Sequence, residues 1–312
     1  VNKIFLQLES LTKRYPNVTA VSDLSLDIRE GEIFGLLGPN GAGKTTTINM
    51  IAGFVIPDSG RILMNGREIL PSDRAARGLI GLCPQENIHW RRLTVIEQLA
   101  FLGHMYGQTG PSLKSRCKML LDSLDMVEVA DQLAEKLSGG MKRRLNIALA
   151  LINDPPLLIL DEPEAGLDPQ SRIMIRSYIK SLAREKTILL TTHNMDEADR
   201  LADRLAIMDR SKLLVLDTPE ALKGSIGEGD VLEIQLLEDP NQFDLASIGL
   251  PTSIQISRID DVLFFRALNL TNLLPQILSR ISDQSIKTGE LRLRKNSLED
   301  IFIQLTGRRL QE

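Results

Sequence analysis

Gly38-Pro-Asn-Gly-Ala-Gly-Lys-Thr-Thr46 is the stretch that decides how this chain is read. It matches G-x-x-x-x-G-K-[ST], with Gly38, Gly43, Lys44 and Thr45 at the fixed positions. Glycines let backbone N–H groups turn inward onto phosphate oxygens, and a following helix adds its positive end. Lys44 would reach the β- and γ-phosphates, and the Thr45 hydroxyl would hold Mg²⁺. The flanks supply the required context. Ile33-Phe-Gly-Leu-Leu37 is a short apolar run that reads as a buried parallel strand, and Thr45–Gly53 reads as the helix that follows.

Two further stretches extend the reading. Leu157-Leu-Ile-Leu-Asp-Glu-Pro163 ends an apolar strand on two carboxylates. Acids there are costly unless a cation meets them. Beside a phosphate loop that cation would be Mg²⁺ on Asp161, leaving Glu162 to polarise an attacking water. Leu137-Ser-Gly-Gly140 precedes a helix rich in Arg and Leu. Ser138 is a good N-cap, and the N–H groups around Gly139 and Gly140 form an anion site. Taken alone, it is an ordinary helix start.

The bulk properties narrow the class. The 312 residues are enough for one large or two ordinary domains. Net charge is −4, and neither the first 220 residues nor the remainder carries the basic excess of a nucleic-acid binder. Cys83 and Cys117 form no framework, so reduced thiols are expected. The first twenty residues have no apolar leader core, and no stretch approaches a spanning helix. A membrane role would come through a partner chain.

Strands at Leu157–Leu160, Thr187–Leu190 and Arg204–Met208 alternate with helices at Met141–Asn153, Gln170–Arg184 and Met195–Ala202. That alternation predicts a parallel sheet covered by helices. Strands at Leu6–Tyr15, Val18–Ile28 and Gly60–Met64 predict an antiparallel layer beside it. Thr94–Met105, Ser112–Leu124 and Glu128–Leu133 predict an inserted helical block, within a subdomain of about 86–155. Lys223–Gly229 has a linker's composition. After it come strands at Val231–Leu237, Ser253–Ser257, Val262–Ala267 and Lys287–Arg294, with helices at Asn241–Ile248, Thr271–Ser282 and Ser297–Leu305. The order predicts a ferredoxin-like domain at 230–312.

Tyr15, the glycine loop, Gln85, LSGG, LILDEP, Gly166-Leu167-Asp168 and His193 stand in the order of ATP-binding-cassette (ABC) nucleotide-binding domains. The chain resembles that family over roughly residues 5–220. The resemblance implies an α/β P-loop ATPase with a parallel-sheet core, an antiparallel β layer and an inserted helical subdomain, here within residues 1–222. ATP and Mg²⁺ would be the ligands. Residues 38–46 (Gly38, Pro39, Asn40, Gly41, Ala42, Gly43, Lys44, Thr45 and Thr46) would cradle the phosphates, with Tyr15 on the adenine. Thr45, Gln85 and Asp161 would hold the metal. Glu162, His193, Gln85 and Lys44 would carry hydrolysis. Two such domains would meet head to tail as a homodimer or heterodimer. Each ATP would lie between one glycine loop and the partner's Ser138-Gly139-Gly140, with Asp168 communicating across the interface.

Where the family has Thr or Ser after LDEP, this chain has Glu164. Its side chain is expected to point to solvent. The ending Ser297–Gly307 resembles the close of ATPase subunits in the drug- and sodium-efflux (DrrA/NatA-like) branch, which works with ABC-2 type permeases. It implies export from the cytoplasmic face of a membrane. An importer ATPase shares every cassette motif and stays open as an alternative, as does a non-transport ABC ATPase. Trp90, the sole tryptophan, lies after Gln85. It is expected either in a groove for the permease or packed under the helical block.

Overall fold

The computed structural model describes residues 3–70, 73–225, 230–237, 250–251, 254–259, 261–268, 270–283 and 286–308. The chain divides into two compact units, 1–217 and 218–312.

The first unit opens with two long strands, β1 (Ile4–Tyr15) and β2 (Val18–Arg29), paired antiparallel. β3 (Ile33–Leu37) follows and is buried throughout. Then come α1 (Lys44–Ile51), β4 (Ser59–Met64), β5 (Arg67–Glu68), α2 (Arg74–Gly78) and β6 (Ile80–Cys83). The helical block holds α3 (Val95–Met105) and α4 (Gly110–Ser123), and α5 (Gly139–Leu151) returns to the sheet. β7 (Leu157–Asp161), α6 (Pro169–Leu182), β8 (Thr187–Thr192), α7 (Met195–Leu201), β9 (Arg204–Asp209) and β10 (Lys212–Asp217) complete the unit.

The central sheet runs β10-β9-β3-β8-β7-β6. All its neighbours are parallel except the edge strand β10. β3, β7, β8 and β9 are buried along their whole length, which explains their unbroken apolar runs. One face, with Phe34, Leu36, Leu157 and Leu189, packs against α1 and the antiparallel layer β2-β1-β4-β5. The other face, with Leu158, Leu160, Ile188 and Leu190, packs against side chains of α3, α4, α5 and α6.

Glu128–Leu133 does not form the expected helix. Only Val127–Val129 makes a single 3₁₀ turn. The carbonyls of Ala130 and Gln132 instead accept from Ile96 and Val95, first-turn donors of α3 that have no partner within their own helix. β6 and β10 were not expected from the sequence. β6 is four residues long and contains Gly81, too little pattern to separate from a loop.

The second unit contains α8 (Pro219–Ser225), β11 (Asp230–Leu236), β12 (Gln255–Ile259), β13 (Val262–Ala267), α9 (Leu270–Asp283), β14 (Thr288–Lys295) and α10 (Leu298–Thr306). Lys223–Ser225, expected in a linker, form the end of α8, and 226–229 lie outside the described residues. The sheet order β12-β13-β11-β14, antiparallel throughout, is that of a split βαβ fold. The helix expected at Asn241–Ile248 lies outside the described residues. Leu232, Ile234, Leu263 and Phe265 pack with Ile277 and Ile281 of α9. On the opposite face, Arg294 joins Glu233 at 2.6 Å to the fully buried Asp300 at 2.5 Å. Asp300 also accepts from the Ser297 N–H, closing the capping box of α10.

Candidate functional site

Parallel strands deliver their carboxyl ends to one edge of a sheet, and ligands bind there. Four adjacent strands do so here: β3 runs into Gly38, β6 into Pro84-Gln85, β7 ends on Asp161, and β8 runs into His193. Their register keeps the ends level: Leu37 pairs with Thr192, Asp161 with Thr191, and Cys83 with Leu160. The sheet thus gathers residues that lie more than 150 positions apart in sequence.

The glycine loop is shaped by steric need. Gly43 has φ of +108°, and a Cβ there would collide with the Ala20 carbonyl oxygen. Its left-handed backbone starts α1 with no side-chain cap, so the first N–H groups stay available to an anion. Lys44 is buried, with Nζ donating to the carbonyls of Gly38 at 2.6 Å and Pro39 at 3.1 Å. Burial pushes its pKa down, while the carboxylates of Glu162 and Asp161 pull it back up. Thr45 is exposed beside it, Thr46 half-buried, and Thr47 donates to the Gly43 carbonyl at 2.9 Å.

Asp161 and Glu162 are both buried. Burial raises the Asp161 pKa, and the neighbouring Glu162 adds to this. The Thr191 hydroxyl donates to Asp161 Oδ1 and works the other way. Glu162 sits in the left-handed region at φ +49°, held by its N–H bond to the Thr191 carbonyl at 3.0 Å. A non-glycine residue there is strained, and such strain clusters at functional sites. Its Oε1 lies 2.8 Å from His193 Nδ1. Gln85 is exposed at the adjacent strand end.

No three Asp, Glu, His or Cys side chains converge to hold a metal among the described residues. One buried carboxylate, one hydroxyl and one amide fit Mg²⁺ better than a softer metal. Mg²⁺ takes few protein ligands and completes its shell with phosphate oxygens and water.

The remaining expected residues lie at helix starts and strand ends. Ser138 caps α5, its Oγ accepting from the Met141 N–H at 3.2 Å. Gly140 packs directly against Ser171, so a Cβ there would meet the Ser171 hydroxyl. Asp168 caps α6, accepting from the Ser171 N–H at 3.0 Å and from its hydroxyl at 2.5 Å. LSGG and Asp168 are therefore neighbours within one chain. Tyr15 ends β1, exposed, with Lys13 Nζ 5.7 Å from its ring centroid.

Glu164 does not face solvent. It is 6% exposed and forms a two-point ion pair with Arg176 of α6, at 2.8 and 2.5 Å. The planar guanidinium matches both carboxylate oxygens. The structure adds a residue that sequence reading missed. Glu197, on α7, is buried and accepts from the Thr192 hydroxyl at 2.5 Å, while that hydroxyl accepts from the Asn194 N–H at 2.9 Å. This arrangement braces the backbone on both sides of His193. Burial lifts the Glu197 pKa to about 7, Thr192 opposing; Glu164 and Glu162 add to the rise, and Arg176 offsets part of it.

The folded chain holds the Glu197 proton more tightly than the unfolded chain. The group's contribution to stability is therefore complete below the ordinary carboxylate range and lost as pH rises through about 7. The loss is at most about 3 kcal/mol. Melting of the full chain is expected to fall by several degrees from pH 6 to pH 8, and Glu197→Gln to flatten that slope. Equal slopes in both proteins would contradict this.

The ABC transporter family model matches residues 21–165. Nod factor export ATP-binding protein I of Ralstonia nicotianae is 38% identical over 309 residues, covering 98% of this chain and 95% of that protein. Linearmycin resistance ATP-binding protein LnrL of Bacillus subtilis is 36% identical over 310 residues, covering 98% and 100%. Among solved structures, cbiO1 of Clostridium perfringens, part of the ABC transporter complex cbiONQ, superposes with a TM-score of 0.66 at 28% identity. It covers 70% of this chain and 90% of that one. The strand-end site and these likenesses agree: the chain belongs to the ABC transporter family, as an ATP-binding subunit with ATPase activity.

Proposed function

We infer that this subunit closes on ATP with a second ATPase subunit and drives a separate ABC-2 type permease in export, from the cytoplasmic face of the membrane. The observation that carries the catalytic part is the meeting of Lys44, Asp161, Glu162 and His193 at one sheet edge. In this reading Lys44 and the backbone of residues 38–46 hold the phosphates, and Tyr15 stacks on the base. Asp161, Thr45 and Gln85 hold Mg²⁺, which offsets phosphate charge. Glu162 accepts a proton from the attacking water, and His193 orients Glu162 and reaches the terminal phosphate. Ser138, Gly139 and Gly140 meet the partner's nucleotide, and Asp168 lies at the same interface. Two copies, or one copy with a related chain, would provide the two sites. The names of the relatives, an export ATP-binding protein and a resistance ATP-binding protein, favour export over import.

Permease docking is assigned to a groove in the first unit. About 500 Å³ in volume, it is lined by Phe54, Leu82, Pro84, Ile88, Trp90 and Tyr106. Phe54, Ile88 and Trp90 are exposed apolar side chains, an arrangement that marks an interaction surface. Trp90 stands edge-on to Phe101 at 5.1 Å, so the ring is pre-positioned. Among the described residues no helix is long and apolar enough to span a membrane. Trp90→Ala is expected to abolish most stimulation of ATPase by the permease while basal turnover stays within about twofold, as truncating one interface anchor does. Stimulation equal to wild type would remove the docking assignment.

A further inference from the structure

Arg143 lies on the second turn of α5, five residues after Ser138, and is 3% exposed. Its guanidinium makes four hydrogen bonds, all to main-chain carbonyls. Nη1 donates to Pro84 at 2.5 Å and to Gln85 at 3.3 Å. Nη2 donates to Asp161 at 2.5 Å, and Nε to Pro163 at 3.1 Å. One turn on, Asn146 directs its amide at the backbone of residues 86–88. No salt bridge to Arg143 occurs among the described residues; its hydrogen bonds all go to carbonyl dipoles, and through space its charge also favours the ionised Asp161 carboxylate.

These acceptors belong to the ends of two neighbouring strands. β6 leads to Gln85 and β7 to Asp161 and Glu162, and the strands stop pairing at Cys83 and Leu160. Beyond those residues no sheet hydrogen bond fixes one end against the other, and Arg143 spans that gap. Its planar fork sets direction as well as distance, which a lysine's single ammonium does not.

We propose that Arg143 is the positioning residue that sets Gln85 against Asp161 and Glu162, so that metal and water sites assemble in register. The proposal rests on the roles given above to those three residues. Arg143 touches neither nucleotide nor metal; it acts through the two strand ends, and its charge through space favours the ionised Asp161. Since it lies on the helix that Ser138 opens, it also ties the surface facing a partner's nucleotide to the chain's own hydrolytic residues.

The test uses the full chain with Arg143→Lys and Arg143→Gln. A fluorescent ATP analogue is titrated in EDTA and in Mg²⁺, and ATPase kinetics are measured alongside thermal melting. None of the Arg143 bonds reaches residues 38–46, so affinity in EDTA is expected to stay within about twofold. The tightening produced by Mg²⁺ is expected to shrink severalfold. The kcat should fall about a hundredfold with little change in KM, the scale of a misplacement near 1 Å. Wild-type Mg²⁺ tightening and kcat in both variants would overturn the proposal. So would failure of both to fold, or an equal loss of affinity with and without metal that follows the melting temperature, since Arg143 would then be a structural clamp only. Asp161→Asn separates the two layers. If it keeps the full Mg²⁺ tightening, the metal assignment itself falls, whichever way the Arg143 variants behave.

Discussion

Glu162→Gln is expected to lower ATP turnover by about two to four orders of magnitude, the usual contribution of a positioned general base. Glutamine keeps the shape and the reach toward His193, where Glu162 Oε1 now lies 2.8 Å from Nδ1. It loses the ability to take the proton of the attacking water. It also removes one of two adjacent buried carboxylates. Asp161 then titrates nearer its ordinary range, because Glu162 is one of the causes of its rise. ATP binding should therefore be kept or strengthened while the chemical step stalls. Single-turnover kinetics with nucleotide binding checks both halves. A variant that turns over at the wild-type rate would move the base elsewhere, and His193 would be the next residue to test.

The second large effect is at Lys44. Lys44→Ala is expected to weaken ATP binding by about a hundredfold, since a hydrogen bond to a charged group is worth about 1.5–3 kcal/mol. The side chain is buried, held by two loop carbonyls, and its charge is favoured by Asp161 and Glu162. Removing it takes away one of the cations beside the two carboxylates and the phosphate's side-chain donor. Lys44→Arg is not expected to restore binding, because the larger planar guanidinium must fit the same closed space. Titration of a fluorescent ATP analogue reads the loss directly. Affinity within twofold of wild type would mean that the backbone N–H groups alone carry the phosphates.

The sequence revealed this site where chemistry imposes a local pattern. The loop at 38–46 needs glycines at fixed positions, and strands buried on both faces need unbroken apolar runs, so β3, β7, β8 and β9 could be placed to within a few residues. The carboxylates of Asp161 and Glu162 stood out because they end such a run. What stayed hidden depends on partners distant in sequence. Nothing at Glu164 announces that Arg176, twelve positions later, will turn toward it. Arg143 looks like one basic residue among several, because its acceptors are carbonyls that every residue possesses. Glu197 reads as the first-turn acid of a short helix, and only the fold buries it against Thr192, the residue before His193. β6 failed as a pattern because Gly81 breaks its apolar run, and its backbone closely approaches Ala150 and Pro155.

In the proposed dimer each ATP lies between one chain's glycine loop and the LSGG of a second chain. Mixing two disabled chains tests it directly. One chain carries Lys44→Ala and the other Ser138→Arg, both in the Glu162→Gln background, and ATP retained through a desalting column is counted. Neither chain alone should retain nucleotide. In a mixed dimer both lesions fall in the same composite site and the other site is intact, so about a quarter of the Glu162→Gln level is expected for random pairing in a symmetric dimer. If the mixture retains no more ATP than the separate chains, the composite site is contradicted.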